Sequence, residues 1–91
     1  MKEQEIMYIL SPEVTEDERE KENLVIQKYI RQQKGKPLKI EKWGEKRLAY
    51  RMKGQATGYY YLLTLEADNE CLKNLDVMMK ENNMVLNHMI M

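Results

Sequence analysis

The spacing of apolar positions changes repeatedly along the chain, and each change predicts the edge of an element. Ile6 to Leu10 is an unbroken apolar run that stops at Ser11-Pro12, the pattern of a buried central strand ended by proline. Thr15 stands three residues before Glu18, the capping-box spacing, and Glu16 and Asp17 fill the first turn, where the helix dipole favours carboxylates. Val25 with Tyr29 and Ile26 with Ile30 repeat at four-residue spacing, which predicts the buried stripe of a first helix. Lys28, Arg31 and Lys34 follow toward its C-terminal end, Gly35 closes it, and Pro37 forbids its continuation. From Leu38 to Met52 the period drops to two, with an interruption at Gly44. Leu48, Tyr50 and Met52 then share one face, while Arg47, Ala49 and Arg51 share the other. Gly54 to Gly58 reads as a turn, and Tyr59 to Glu66 as a strand rich in tyrosine and leucine, so the two strands form an antiparallel hairpin. Asp68 or Asn69 caps a second helix carrying Leu72, Leu75 and Met79; Asn82-Asn83 ends it, and Met84 to Met91 is a last strand.

The resulting order, strand–helix–strand–strand–helix–strand, is that of two split βαβ units. It predicts an α+β, ferredoxin-like βαββαβ sandwich, in which a four-stranded antiparallel sheet carries both helices on one face. Right-handed crossovers place the first and third strands centrally and the second and fourth at the edges. No repeat, linker or low-complexity segment interrupts residues 1–91, so a single domain is expected.

Charge narrows the function classes. Fifteen basic and fifteen acidic side chains cancel at pH 7. A domain that holds nucleic acid unaided draws most of its affinity from phosphate neutralisation and is clearly basic, so any RNA contact here has to be local or shared with a basic partner. Cys71 is the only cysteine, which excludes an internal disulfide and a multi-cysteine metal site; it reads as a small apolar filler at the start of the second helix. The charged start, Met1-Lys2-Glu3-Gln4-Glu5, with only a short apolar run after it, fits neither a signal peptide nor a membrane span.

Catalytic equipment is sparse. His88, the single histidine, stands in the last strand and reads as a satisfied side chain at a sheet surface or edge rather than a general base. The four glycines are isolated, so no phosphate loop exists, and no histidine–carboxylate pair has metal spacing. Glu16, Asp17, Glu18, Glu20 and Glu22 crowd one segment as a solvated helix face. Acylphosphatases share the predicted fold, but their chemistry needs an arginine in the loop after the first strand; here that loop is Ser11-Pro12-Glu13-Val14. RNA-recognition domains of the ribonucleoprotein type share the element order and stack bases on aromatics of the central strands. Thr57-Gly58-Tyr59-Tyr60-Tyr61 keeps their glycine and aromatics but lacks the basic residue and the small one. Alternation groups Tyr59 and Tyr61 with Leu63 and Leu65, the more apolar set, which predicts that they face the helices. The remaining feature is the basic cluster Lys42, Lys46, Arg47, Arg51 and Lys53, interleaved with Trp43, Leu48 and Tyr50. It protects an edge strand from aggregation, and it also suits a strand that docks a partner and its RNA.

Three blocks carry a family resemblance. Glu5 to Pro12 forms an opening strand with its closing proline. Trp43-Gly44-Glu45-Lys46-Arg47-Leu48-Ala49-Tyr50 with Gly58-Tyr59-Tyr60 forms a hairpin signature, and Val85 to Ile90 a closing strand. Together they resemble bacterial-type small-subunit ribosomal protein six. The resemblance implies a ferredoxin-like fold, no catalysis and no cofactor; no metal, small-molecule substrate or membrane is expected. It implies a heterodimer with ribosomal protein eighteen of the small subunit, bound to the central domain of small-subunit ribosomal RNA, on a ribosome of the bacterial cytoplasm or of an organelle (plastid or mitochondrion). By the same resemblance, Arg47, Ala49, Arg51, Tyr60 and Leu62 form a partner-docking face, and Lys2, Gln4 and Lys46 contact RNA near the rim of the sheet. Two positions depart from the family pattern: Gln4 stands where an aromatic is usual, and Asn87 where an arginine is usual. The chain also stops at Met91 without the basic tail of many members. The other function class left open is a homodimeric ferredoxin-like ligand-binding or regulatory domain that pairs through its open sheet face.

Overall fold

The computed structural model describes residues 2–91, with side chains from residue 3 onward. Its elements follow the order β1 (Lys2–Leu10), α1 (Glu16–Gln32), β2 (Lys36–Met52), β3 (Gln55–Ala67), α2 (Asn69–Glu81) and β4 (Val85–Ile90). The strands form one antiparallel sheet in the order β2-β3-β1-β4, so β1 and β3 are central, as the crossover rule requires. Register pairs Ile6 with Leu63, Tyr8 with Tyr61 and Leu10 with Tyr59. The first five of those side chains are buried with Leu65 and Val85 against Ile26 and Ile30 of α1 and Cys71, Leu75 and Met79 of α2, while Tyr59 packs half-buried beside them. That layer is the main core. The architecture is therefore the ferredoxin-like sandwich that the element order predicts.

Local chemistry sets the helix ends. The Glu18 amide donates to Thr15 Oγ1 at 3.2 Å and the Cys71 amide to Asp68 Oδ1 at 2.8 Å, so Thr15 and Asp68 are the N-caps. At the end of α1 the Gly35 amide reaches Ile30 O at 2.8 Å and the Lys34 amide reaches Arg31 O at 3.1 Å, the paired bonds of a Schellman motif. Lys34, not Gly35, takes the left-handed conformation (φ 67°). Gly35 is small for a different reason: a Cβ there would lie 2.8 Å from Ile30 Cγ2 and 2.9 Å from Cys71 Sγ.

Three expectations are corrected. The buried stripe of α1 is Arg19, Asn23, Ile26 and Ile30; Val25 is 53% exposed and Tyr29 only half-buried. Two polar members disguised that stripe. Arg19 is buried because its guanidinium lies 3.5 Å over the Tyr59 ring and donates to Val14 O at 2.7 Å. Asn23 is buried because it accepts the Tyr8 hydroxyl hydrogen bond at 2.6 Å. Second, the hairpin turn is the two residues Lys53 and Gly54, both with positive φ (49° and 81°), as a tight hairpin turn demands, and β3 already starts at Gln55. Gly58 is thus a strand residue, and close approach explains it: a Cβ there would fall 2.3 Å from Ile9 Cγ2 and 3.2 Å from Leu86 Cδ1. Third, Leu48, Tyr50 and Met52 do not share one environment: Leu48 is buried and Met52 partly so, but Tyr50 is 68% exposed.

Two stability outcomes follow. Gly58→Ala forces Ile9 or the β1–β3 backbone to shift, and is expected to lower unfolding free energy by about 1–3 kcal/mol in urea titrations. Tyr8→Phe leaves the Asn23 side-chain oxygen without its buried donor, in a place where Asn23 Nδ2 and Arg19 Nε already lack partners among the described residues. It is expected to cost about 1–3 kcal/mol by the same measurement, and an unchanged midpoint would show that the hydroxyl stabilises nothing.

Candidate partner and nucleic-acid interface

Because both helices pack on one face, β-strand alternation sends every second side chain to the other. On that uncovered face register aligns Met7 with Leu62 and Met89, and Ile9 with Tyr60 and Asn87. Leu62 pairs on its other side with Glu41, and Thr64 with Lys39. Ile9, Leu62 and Leu86 are buried there without a helix above them, whereas Met89 is 59% exposed and Met7 and Tyr60 are half-exposed. The cover comes from the hairpin. The bulge near Gly44 and the register break after Arg47 coil it, so that Leu48 and Met52 come down on Ile9 and Leu86 beside Tyr60. Lys53 Nζ ties the tip to Val85 O at 2.8 Å, and Gln55 Nε2 donates to Glu13 Oε1 at 2.6 Å. The result is an apolar strip, Met7, Tyr60, Leu62 and Met89, beside a basic hairpin.

The residues singled out from sequence fall into separate places. Tyr60 and Leu62 stand together on the uncovered face. Arg47, Ala49 and Arg51 are all exposed, but alternation turns them away from Leu48, which packs on that face; they form the outer side of the hairpin. Arg51 Nη1 also donates to Gly54 O at 3.4 Å, which bends it over the turn. Lys46 pairs with Gly58 and so belongs to the Tyr60 side. Gln4 pairs with Leu65, on the helix side and at the other end of the sheet from Lys46. Residues 58 and 65 of β3 set that separation at roughly 24 Å, seven residues at ~3.4 Å each. Lys2 pairs through its backbone with Ala67 at the same end as Gln4, and its side chain lies outside the described residues. The sheet therefore does not gather Lys2, Gln4 and Lys46 into one patch.

Met7 and Met89 are the members of the strip that sequence reasoning passed over. The signal was present: Ile6 to Leu10 is apolar on both parities, so a second apolar face had to exist. The tyrosines divide as alternation predicts. Tyr61 is buried and stacks on Tyr8 with ring centroids 5.4 Å apart, Tyr59 sits under Arg19, and neither is presented for base stacking. Burial and the neighbouring Tyr61 hold the Tyr8 hydroxyl far above its ordinary range.

His88 faces the helices. Its Nε2 bonds Asp76 Oδ1 at 2.6 Å, and Lys80 Nζ stands 3.2 Å from Asp76 Oδ2. These two hydrogen bonds, that from His88 first, hold the Asp76 carboxyl below its usual value. Burial raises the Cys71 thiol, in keeping with an apolar filler. Among the described residues no group of three or more histidine, cysteine or carboxylate side chains is arranged to hold a metal ion, and no helix is long and apolar enough to cross a membrane.

Comparison with known proteins gives one family. The family model for ribosomal protein S6 matches residues 4–91. The small ribosomal subunit protein bS6 of Desulforamulus reducens is 37% identical over 93 aligned positions, spanning 99% of this chain and 95% of that protein. Its counterpart from Carboxydothermus hydrogenoformans is 32% identical, spanning 99% and 94%. The crystal structure of 30S ribosomal protein S6 from Thermotoga maritima superposes with a TM-score of 0.90 at 28% identity, covering 98% of this chain and 84% of that one. With a full-length family match, relatives above 30% identity and the same sheet order, the chain belongs to the ribosomal protein S6 family of the small ribosomal subunit.

Proposed function

We propose that this protein is a structural component of the small ribosomal subunit that catalyses nothing and binds the central domain of small-subunit ribosomal RNA together with ribosomal protein eighteen. The observation that carries the reading is the apolar strip of Met7, Tyr60, Leu62 and Met89 on a helix-free sheet face, beside a hairpin bearing Lys46, Arg47 and Arg51, in a chain of zero net charge. A neutral domain lacks the long-range attraction that draws a basic protein to RNA. A helix-free apolar strip with Met89 exposed and Met7 and Tyr60 half-exposed marks a protein contact. The two together favour joint binding: a partner covers the strip, and the pair presents cations to the RNA.

Within that reading Tyr60 and Leu62 dock the partner directly, with Met7 and Met89 completing the contact. Arg47, Ala49 and Arg51 act as a second docking patch on the outer side of the hairpin. Lys46 contacts RNA on the uncovered side, and Lys2 and Gln4 do so from the opposite end of the sheet. The place of action is the ribosome, of the bacterial cytoplasm or of an organelle; the relatives named above are bacterial.

The isolated protein is expected to sediment as a monomer and to hold a central-domain RNA fragment weakly in physiological salt, with affinity rising at least tenfold once the partner is added. A stable dimer of the lone chain, indifferent to RNA and partner alike, would point instead to the homodimeric ligand-binding class. The hairpin assignment has its own test. Arg47→Glu combined with Arg51→Glu should weaken assembly tenfold or more, about 1.4 kcal/mol, while exposed positions of this kind change stability by only ~0.5 kcal/mol. Unaltered assembly, or an unfolded variant, removes these arginines from the interface.

A further inference from the structure

On the helix side of the free β4 edge lies a recess of about 330 Å³ lined by Lys53, Asp76, Met79, Lys80, Val85, Leu86, Asn87 and His88. Its polar groups come from three separate elements: Lys53 from the β2–β3 turn, Asp76 and Lys80 from α2, Asn87 and His88 from β4. Asp76, Lys80 and His88 take no part in the interface described above, while Lys53 also ties down the hairpin tip and Leu86 packs under the hairpin. Two features set the recess apart from a scatter of surface lysines. Lys53 occupies a left-handed turn position and its Nζ is already fixed on Val85 O at 2.8 Å, which brings an ammonium to the wall while leaving two of its three N–H groups unused. His88 is held with only 10% of its side chain exposed, and Asp76 receives both His88 and Lys80, so the single carboxylate in the recess is consumed by pairing within it.

We propose that this recess is an anion site for a tetrahedral phosphate group, and that in the assembled particle its occupant is a phosphodiester of the RNA backbone. Two lysines against one carboxylate leave a net positive charge even with His88 neutral. Lysine serves phosphate as a compact point charge whose rotatable donors suit a rounded oxyanion. Buried Val85 and Met79 back the recess, which shields that side of it from solvent and lowers the screening that weakens a fully exposed contact.

The RNA assignment rests on the function proposed above, whereas the anion site does not, and the experiment separates them. In the full chain without RNA, titration with inorganic phosphate at constant ionic strength should give saturable amide shifts at Lys53, Lys80 and Val85 to His88. Chloride should not reproduce them, Lys53→Gln with Lys80→Gln should abolish them, and Lys53→Arg with Lys80→Arg should retain them with the fold intact. Absence of saturable shifts in the wild type overturns the site. With partner and a central-domain RNA fragment, the double glutamine variant should bind at least tenfold more weakly, and its salt dependence should flatten by about 0.7–0.9 in log–log slope for the lost phosphate contact. Phosphate shifts without any change in RNA affinity or slope would reassign the recess to a free phosphate ion and overturn the backbone contact. Wild-type protein that fails to bind RNA even with the partner would defeat the proposed function, while the phosphate titration still decides the site.

Discussion

The interaction on which the rest of the structure depends is the close contact of Gly58 with Ile9 and Leu86. It lets β3 run on beyond the end of β1, so the hairpin can coil and set Leu48 and Met52 on the face that no helix covers. A two-layer sandwich of this size has only two helices with which to bury a four-stranded sheet, and both are spent on one side. A sheet that is apolar on both faces must therefore fold something of its own over the second, or leave it for another molecule. Here both occur. The hairpin seals Ile9 and Leu86, and the strip from Met7 to Met89 stays open.

The small polar cluster on the helix side has a directional role in this arrangement. Tyr8 bonding Asn23, Tyr61 stacked on Tyr8, and Arg19 lying over Tyr59 tie three tyrosines to α1 and to each other. In a β-strand a slip of one residue moves every side chain to the opposite face. The three tyrosines by themselves do not set the register; Leu63 and Leu65 on the same parity already favour turning Tyr59 and Tyr61 inward. The stacking of Tyr61 on Tyr8 and the cation–π contact of Arg19 with Tyr59 reinforce that choice. Tyr60 is thereby placed outward among Met7, Ile9 and Leu62, and the uncovered face acquires its aromatic member. Buried polar groups in this core reinforce a register as well as adding stability.

Much of this was legible in the sequence, and the failures share a cause. Element order, central against edge strands, both N-caps and the inward turn of Tyr59 and Tyr61 follow from local chemistry and period-two alternation. The α1 stripe differs from the local expectation because its inward residues include Arg19 and Asn23, whose burial depends on side chains 40 and 15 residues away in the chain, Tyr59 and Tyr8. No window of local sequence contains that information. The hairpin turn was misread because Gly58 looks like turn chemistry and is in fact a packing necessity. The face of Arg47, Ala49 and Arg51 could not be matched to Tyr60 and Leu62, since a bulge at Gly44 and a register break after Arg47 intervene, and alternation carries no memory across a bulge. The recess at Lys53, Lys80 and His88 left no trace either, as a turn, a helix and a strand far apart in sequence compose it.

Zero net charge takes on meaning once the charges are placed. Acidic residues crowd the start of α1, where the helix dipole welcomes them, and basic residues crowd the β2–β3 hairpin; the exposed pair Lys42–Glu20 joins the two regions. Such a distribution gives weak long-range attraction to any polyanion, because the fields of the two regions cancel at a distance of a few Debye lengths, but strong local fields at contact. Under the proposed function, affinity for RNA would be gated by orientation. Only a molecule already brought against the hairpin would meet uncancelled positive charge, and a partner seated on the apolar strip would supply that orientation. A strongly basic version of the same sandwich would bind nucleic acid indiscriminately and without its companion. On that reading, charge balance and the open apolar strip are two halves of one physical arrangement, in which neither half suffices alone.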